Sequence, residues 1–185
     1  MTVAQNKPDL IYHFTAEIFL PMILQDGIKP AQPVYGDEMD GVLIDSLGVW
    51  LTVNPNPADQ QWISGTSVDK SAVRLTIAIP SACQNHLAKW TRLAKRKEVS
   101  SKARFALNKT GGKGADDWWV YRGPIETSFI KAVEVHGRPV DPVADRFQLW
   151  ERRREELRRL CDEHGRVPYD IALNALEKLT FGRRA

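Results

Sequence analysis

Leu10-Ile11-Tyr12-His13-Phe14-Thr15 is the stretch on which the reading of this chain turns. Its β-branched and aromatic residues alternate in the pattern of a strand, and that strand ends in polar groups. A helix follows with no linker: Thr15 stands where an N-cap belongs, Ile18, Phe19, Met22 and Ile23 recur at helical spacing, and Gly27 with Pro30 ends it. Further along, residues 31–46 carry Pro, Gly and acidic side chains and read as a surface loop. Gly48-Val49-Trp50-Leu51-Thr52 is a short buried strand, stopped by Asn54-Pro55-Asn56-Pro57. After a polar, turn-rich stretch over 58–71, residues 73–79 alternate apolar and polar positions up to Pro80 and form the clearest strand of the chain.

Residues 81–107 have helical composition with basic residues on several faces, and a glycine-rich, lysine-bearing loop spans 110–114. That loop lacks the G-x-x-x-x-G-K-S/T spacing and has no apolar strand before it, which excludes a P-loop. Residues 118–121 read as a strand, Gly123-Pro124 as a turn and 129–135 as a final strand. Beyond Pro139 the composition changes to two amphipathic helices, 142–163 and 168–179, split by Gly165. The expected organisation is an α+β domain over 1–139 with a basic insert at 81–115, followed by a helical extension over 140–185.

A length of 185 residues suits one core with an appendage. No apolar run approaches the roughly 20 residues needed to cross a bilayer, and the first nine residues lack the basic flank and apolar stretch of a secretory signal. Cys83 and Cys161 are far apart and near no His-Cys cluster, so neither a disulfide scaffold nor a zinc site is expected, and the expected compartment is the reducing cytoplasm. The net charge of +3 hides an asymmetry. Residues 1–80 hold four basic against nine acidic side chains, whereas 89–113 hold nine basic against Glu98 alone. Any attraction to a polyanion therefore belongs to one segment.

Four of these pieces stand in a recognisable order: Tyr12-His13-Phe14-Thr15; Ile23-Leu24 with Gly27-Ile28 and Pro30; Gly48-Val49-Trp50-Leu51-Thr52; and Trp118-Trp119-Val120-Tyr121-Arg122-Gly123-Pro124-Ile125. Across residues 10–135 the chain resembles the ADP-ribosyltransferase superfamily, which includes bacterial toxins that modify DNA or protein and the related RNA 2′-phosphotransferases. The resemblance implies a small split sheet, antiparallel or mixed, flanked by helices, with NAD as substrate. In that family a first strand supplies a His or Arg that holds NAD, a second strand an aromatic or hydroxyl residue beside the nicotinamide, and a late strand a catalytic carboxylate. Carried onto this chain, His13 takes the first position and Trp50 with Thr52 the second, and Thr15 joins the cofactor-binding set. The carboxylate is Asp117, standing where the family usually has Glu, or Glu126 after the Gly-Pro turn.

The chemistry gives its own reasons for these residue types. Cleavage between ribose and nicotinamide builds oxocarbenium character on the sugar, which a fixed carboxylate stabilises. Asp117 and Glu126 are the two that suit. The leaving nicotinamide is neutral and planar, so an aromatic wall from Trp50, Trp119 or Tyr12 fits it, and the phosphates call for Arg74, Arg122 or the 110–114 loop. Each residue also has a structural reading. A single strand His is commonly structural, the carboxylates suit turns, and one of the neighbours Trp118 and Trp119 is expected to face the core and the other a cleft.

The favoured function is therefore transfer of ADP-ribose to a macromolecular acceptor. The alternative is a non-catalytic module on the same fold, gripping nucleic acid or a protein partner. An RNA 2′-phosphotransferase ranks third because its clustered Arg and His set is missing. Lys95, Arg96, Lys97, Lys102 and Arg104 are the expected nucleic-acid contacts, with Trp90 and Phe105 placed to stack on bases. The C-terminal helices, with Phe147, Trp150, Leu157 and Leu160 as one buried stripe, are expected to face the body or a protein partner. If the basic segment grips DNA or RNA, affinity falls steeply between low and physiological salt. Replacing Lys95, Arg96 and Lys97 together by Ala then flattens the salt slope by about three phosphate contacts, read by fluorescence anisotropy.

Overall fold

The computed structural model describes residues 7–30, 48–60, 68–96, 101, 104–105, 108–109 and 112–165. The expected loop over 31–46, the helix over 168–179, Lys97, Lys102 and the start of the glycine-rich loop lie outside the described residues. Seven strands make up the sheet: β1 (Ile11–Thr15), β2 (Gly48–Thr52), β3 (Val73–Ile77), β4 (Leu87–Lys89), β5 (Trp118–Arg122), β6 (Ile130–Val135) and β7 (Arg138–Pro139). Their order is β4-β5-β2-β1-β3-β6-β7, and every pairing is antiparallel. With α1 (Leu20–Asp26), α2 (Trp90–Leu93) and α3 (Arg146–His164) packed on it, the architecture is α+β.

Register decides which residues share a face, because directly paired side chains of an antiparallel ladder project to the same side. Leu51 pairs with Trp119 and Val49 with Tyr121, while Ile11 pairs with Ile77 and Thr15 with Val73. These residues, Thr15 excepted, join Leu20 and Ile23 of α1 in the main core. The other face carries Trp50 paired with Val120 and Thr52 paired with Trp118. There a second cluster forms, in which Trp118 and Val120 pack with Trp90 and Leu93 of α2 and with Ala115. The sheet thus has apolar cover on both sides at its β4-β5-β2 end, which is why β5 is apolar along nearly its whole length.

Several boundaries differ from the sequence expectation. Thr15 does not cap a helix: it is the buried last residue of β1, and a 3-10 turn at Glu17–Phe19 leads the chain off the sheet before α1 begins. Residues 87–89, read as helix from composition, form the edge strand β4, where Leu87 pairs with Tyr121 and becomes buried. Tertiary pairing there overrides local propensity. Gly27 ends α1 with φ +76°, and a Cβ on it would lie 2.3 Å from the Ile125 carbonyl oxygen, so only glycine lets Ile28 and Ile125 exchange their two backbone hydrogen bonds.

The helix after Pro139, α3, joins the main core. Leu149 and Leu160 of α3, both 1% exposed, belong to the main cluster, whereas Phe147, expected in the buried stripe, is 75% exposed. Between those leucines Arg153 turns inward, donates to the Ile18 carbonyl and lies over the Trp150 ring, and burial lowers its pKa. Arg152 pairs with Glu17 at 2.9 Å, while Arg159 holds Glu156 and Glu163 on the solvent side. The stripe that docks is therefore 149, 153, 157 and 160. Leu149→Ala is expected to cost about 2 to 5 kcal/mol in urea unfolding, and Phe147→Ala less than about 0.5 kcal/mol. Similar costs for both would show that α3 does not dock through Leu149.

Candidate active site

The sheet opens between β1 and β2. Each strand has five residues, yet Tyr12 with Thr52 is the one register pair between them, so the two strands diverge beyond it. His13, the next residue of β1, sits in register with Leu75 on its other side. Its imidazole reaches across the opening, where Nδ1 lies 2.9 Å from the Trp50 carbonyl oxygen. A carbonyl only accepts, so Nδ1 carries the proton and donates. The side chain thus replaces a ladder bond that the diverging backbones do not make.

Trp50 and Thr52 point to the face opposite the main core. The Trp50 ring is half-buried, 5.2 Å from Trp90 and 5.6 Å from Trp118 between centroids, the latter contact edge-on. This three-ring block holds Trp50 as a stiff wall. Thr52 is buried and its hydroxyl accepts from the Asn54 amide at 3.1 Å. The expectation that one of Trp118 and Trp119 faces a cleft is corrected: both are 5% exposed, Trp119 in the main core and Trp118 in the second cluster, because each face of the sheet is covered at β5. Trp90 is likewise buried, with Nε1 donating to Asn108 at 3.0 Å, and is not placed to stack on bases, whereas Phe105 is 70% exposed.

The two carboxylates lie at opposite ends of β5. Asp117 immediately precedes the strand, and its carbonyl accepts from the Val53 amide at 3.1 Å, at the same end as Thr52 and Tyr12. Since Tyr12, Thr52 and Trp118 stand in line across three strands, strand spacing and rise put the backbones of His13 and Asp117 roughly 12 Å apart. Glu126 lies beyond Arg122, which the strand's rise alone places roughly 13 Å from Trp118. It is exposed, accepts from the Ser128 hydroxyl at 3.3 Å, and follows Ile125, the partner of Ile28. Its nearest titratable neighbourhood is Tyr121, whose phenol is pushed up by burial first, then by Cys83 and by Glu126 itself.

Arg74, expected as a phosphate ligand, is committed within the sheet. Its Nη2 donates to both carboxylate oxygens of Glu134 at 2.6 and 2.7 Å, its Nη1 to the Pro55 carbonyl at 2.8 Å, and its guanidinium lies over the Tyr12 ring. A guanidinium neutralised by Glu134 and held through both Nη atoms has little charge left for a ligand. Lys95 and Arg96 are exposed just after α2, and Arg104 is half-buried. Sequence reading passed over Asn54 and Asp59, which the structure joins at 3.0 Å in the turn after β2. The Asn-Pro-Asn-Pro run carried that signal, because Asx side chains bond their own turns. Among the described residues no group of His, Cys, Asp and Glu gathers closely enough to hold a metal ion, and no helix is long and apolar enough to cross a membrane.

No family model and no curated protein matches the chain. Among solved structures it is similar in fold to the Scabin toxin from Streptomyces scabies in complex with NADH, an ADP-ribosyltransferase toxin, at 15% identity and a TM-score of 0.37, with 76% of this chain and 69% of that chain covered. A single-substitution variant of the same toxin aligns at 16% identity and a TM-score of 0.36, covering 76% and 70%. A likeness of this size carries no argument about the site, whose chemistry rests on the chain's own residues.

Arg74 and Glu134 supply a direct check on that reading. A double-mutant cycle with Arg74→Met and Glu134→Gln is expected to return a coupling of about 0.5 to 1.5 kcal/mol, discounted because both side chains keep about a quarter of their exposure. A coupling near zero would return Arg74 to the pool of groups able to bind a ligand.

Proposed function

We propose that the chain is an NAD-dependent transferase that moves ADP-ribose to a macromolecular acceptor, working at the opening between β1 and β2. What supports this reading is the bond from the His13 imidazole to the Trp50 carbonyl where β1 and β2 part, with Asp117 set beside the end of β2 through the bond from Val53, its backbone roughly 12 Å from that of His13. Glu126 lies at the other end of β5, so Asp117 is the carboxylate assigned to the reaction.

Each group has a defined task. His13, oriented through Nδ1, stands on the first strand to hold the ribose of NAD. Trp50, stiffened by its two ring neighbours, forms the wall for the nicotinamide ring. As the C1′–N bond breaks, nicotinamide departs with the electron pair and positive charge grows on the ribose. The Asp117 carboxylate faces that charge and takes the proton of the acceptor group that attacks C1′. Thr15, Thr52 and Trp119 are buried and support the strands rather than touch the dinucleotide.

Nucleic acid is the favoured acceptor. Exposed Lys95 and Arg96 end α2, the helix that covers the Trp50 face, so positive charge stands on the side of the sheet where the wall lies. A non-catalytic module is the second reading, favoured by the shorter Asp side chain at the carboxylate position, since catalytic geometry tolerates little displacement.

Nicotinamide release from NAD, measured with DNA, RNA and protein acceptors, tests the proposal. Release is expected from the wild type, with His13→Ala and Asp117→Ala each lowering kcat by about 100-fold or more and Glu126→Ala leaving it within about twofold. Loss of release in Glu126→Ala alone would move the carboxylate to the other end of β5. No release together with no NAD binding would leave the binding module.

A further inference from the structure

Besides two backbone bonds of its own, from the Asp59 amide to Asn56 and from the Gln60 amide to Pro57, the turn that follows β2 gathers seven further hydrogen bonds. The Thr52 hydroxyl accepts from the Asn54 amide, the Asn54 side-chain carbonyl accepts from the Asn56 amide at 2.9 Å, and its Nδ2 donates to Asp59 at 3.0 Å. Asn56 accepts from the Ala58 amide at 3.1 Å through its side chain and from the Gln60 amide nitrogen Nε2 at 3.3 Å through its backbone carbonyl. From outside the turn, Arg74 holds the Pro55 carbonyl at 2.8 Å and is itself fixed by Glu134. The seventh bond, from the Val53 amide to the Asp117 carbonyl at 3.1 Å, leads out of the turn to the residue assigned as the reacting carboxylate. A second contact runs the same way: Gly114, in the 3-10 turn Gly112–Asp117, approaches the Asp59 carbonyl so closely that a Cβ would lie 3.2 Å from it.

We propose that Asn54 is a positioning residue, which fixes the turn over 53–59 and through it sets where Asp117 stands at the split of the sheet. This rests on the transferase reading for its functional consequence, although the structural coupling does not. The turn is a poor candidate for holding itself by packing. Pro55, Asn56, Ala58 and Asp59 are exposed, and proline supplies no amide donor at 55 and 57. Carboxamide bonds supplement its two backbone bonds, and Asn54 reaches both Asn56 and Asp59 with its two different side-chain atoms. Alanine there removes both at once. Asp117 has its backbone tied to this turn and lies one residue ahead of the strand, so a turn that relaxes carries the carboxylate with it. Displacements well under a strand spacing are enough to lower a rate when reacting groups must align.

The test pairs Asn54→Ala with the exchange Asn54→Asp plus Asp59→Asn, which keeps one carboxamide and one carboxylate facing each other and still offers an oxygen to the Asn56 amide. Amide hydrogen exchange is read residue by residue by NMR on the full chain. Asn54→Ala is expected to speed exchange at Val53 by about tenfold, with the Leu75 and Val133 amides of the main sheet unchanged, and the paired exchange is expected to restore Val53. In nicotinamide release Asn54→Ala is expected to lower kcat about tenfold with KM for NAD within twofold, and the paired exchange to recover it. An unchanged Val53 amide, or equal acceleration at Leu75 and Val133, would overturn the inference. Wild-type protein that releases no nicotinamide while Val53 behaves as described would instead overturn the transferase reading and leave the coupling standing.

Discussion

The divergence of β1 from β2 after a single pair governs how this molecule is built. Two five-residue strands that touched along their whole length would satisfy each other's amides and carbonyls and leave no opening. Here the Trp50 carbonyl points into a gap, and an unpaired carbonyl in such a setting costs about 1 to 3 kcal/mol. His13 removes that penalty with Nδ1. The same bond that repairs the ladder fixes the tautomer and the plane of the ring, so a structural need and a chemical one are met by one side chain. The two readings of a strand histidine, structural and functional, are therefore compatible at this position.

What lies on either side of the gap follows from how the described residues line the sheet's second face, apolar at one end and largely polar at the other. At β4-β5-β2 the second cluster of Trp90, Trp118 and Val120 covers the face opposite the main core. At β1-β3-β6 that face carries the half-buried Tyr12, Arg74, Thr76 and Glu134 beside the buried Phe14, the register partner of Arg74. The edge of the aromatic block thus stands beside a polar floor, with Trp50 at its border. A planar, neutral ring against the block and charged groups over the floor is the distribution that suits a molecule with one apolar and one ionic end.

Local pattern made the main strands legible because their alternation matches the faces they bury: Val73, Leu75 and Ile77 are inward and Arg74 and Thr76 are not. It failed where pairing partners decide. Leu87–Lys89 is a strand because β5 offers it an edge, and no periodicity in three residues announces that. Phe147 and Leu149 show the same limit on a helix, since both are apolar and about half a turn of rotation decides which is buried. At the site, His13 and Trp50 stood out by residue type, but their union depends on a gap that pairing register alone defines. Arg74 was misplaced for a related reason. Its partner Glu134 is sixty residues away in sequence and adjacent in space, so its charge looked available.

The choice between Asp117 and Glu126 illustrates what topology adds to chemistry. As side chains they are nearly interchangeable, and residue type alone slightly favours Glu126. Strand direction separates them: β5 runs antiparallel to β2, so the residue before Trp118 meets the end of β2 and the residues after Arg122 meet its beginning. Only the first of these ends adjoins the pair of Tyr12 and Thr52. Under the proposed function, the carboxylate of less favourable length is thus the one beside that pair. Its carbonyl bond to Val53 and the closely packed turn before it fix its backbone, and a short side chain on a fixed backbone covers a smaller arc than a long one on a loose backbone.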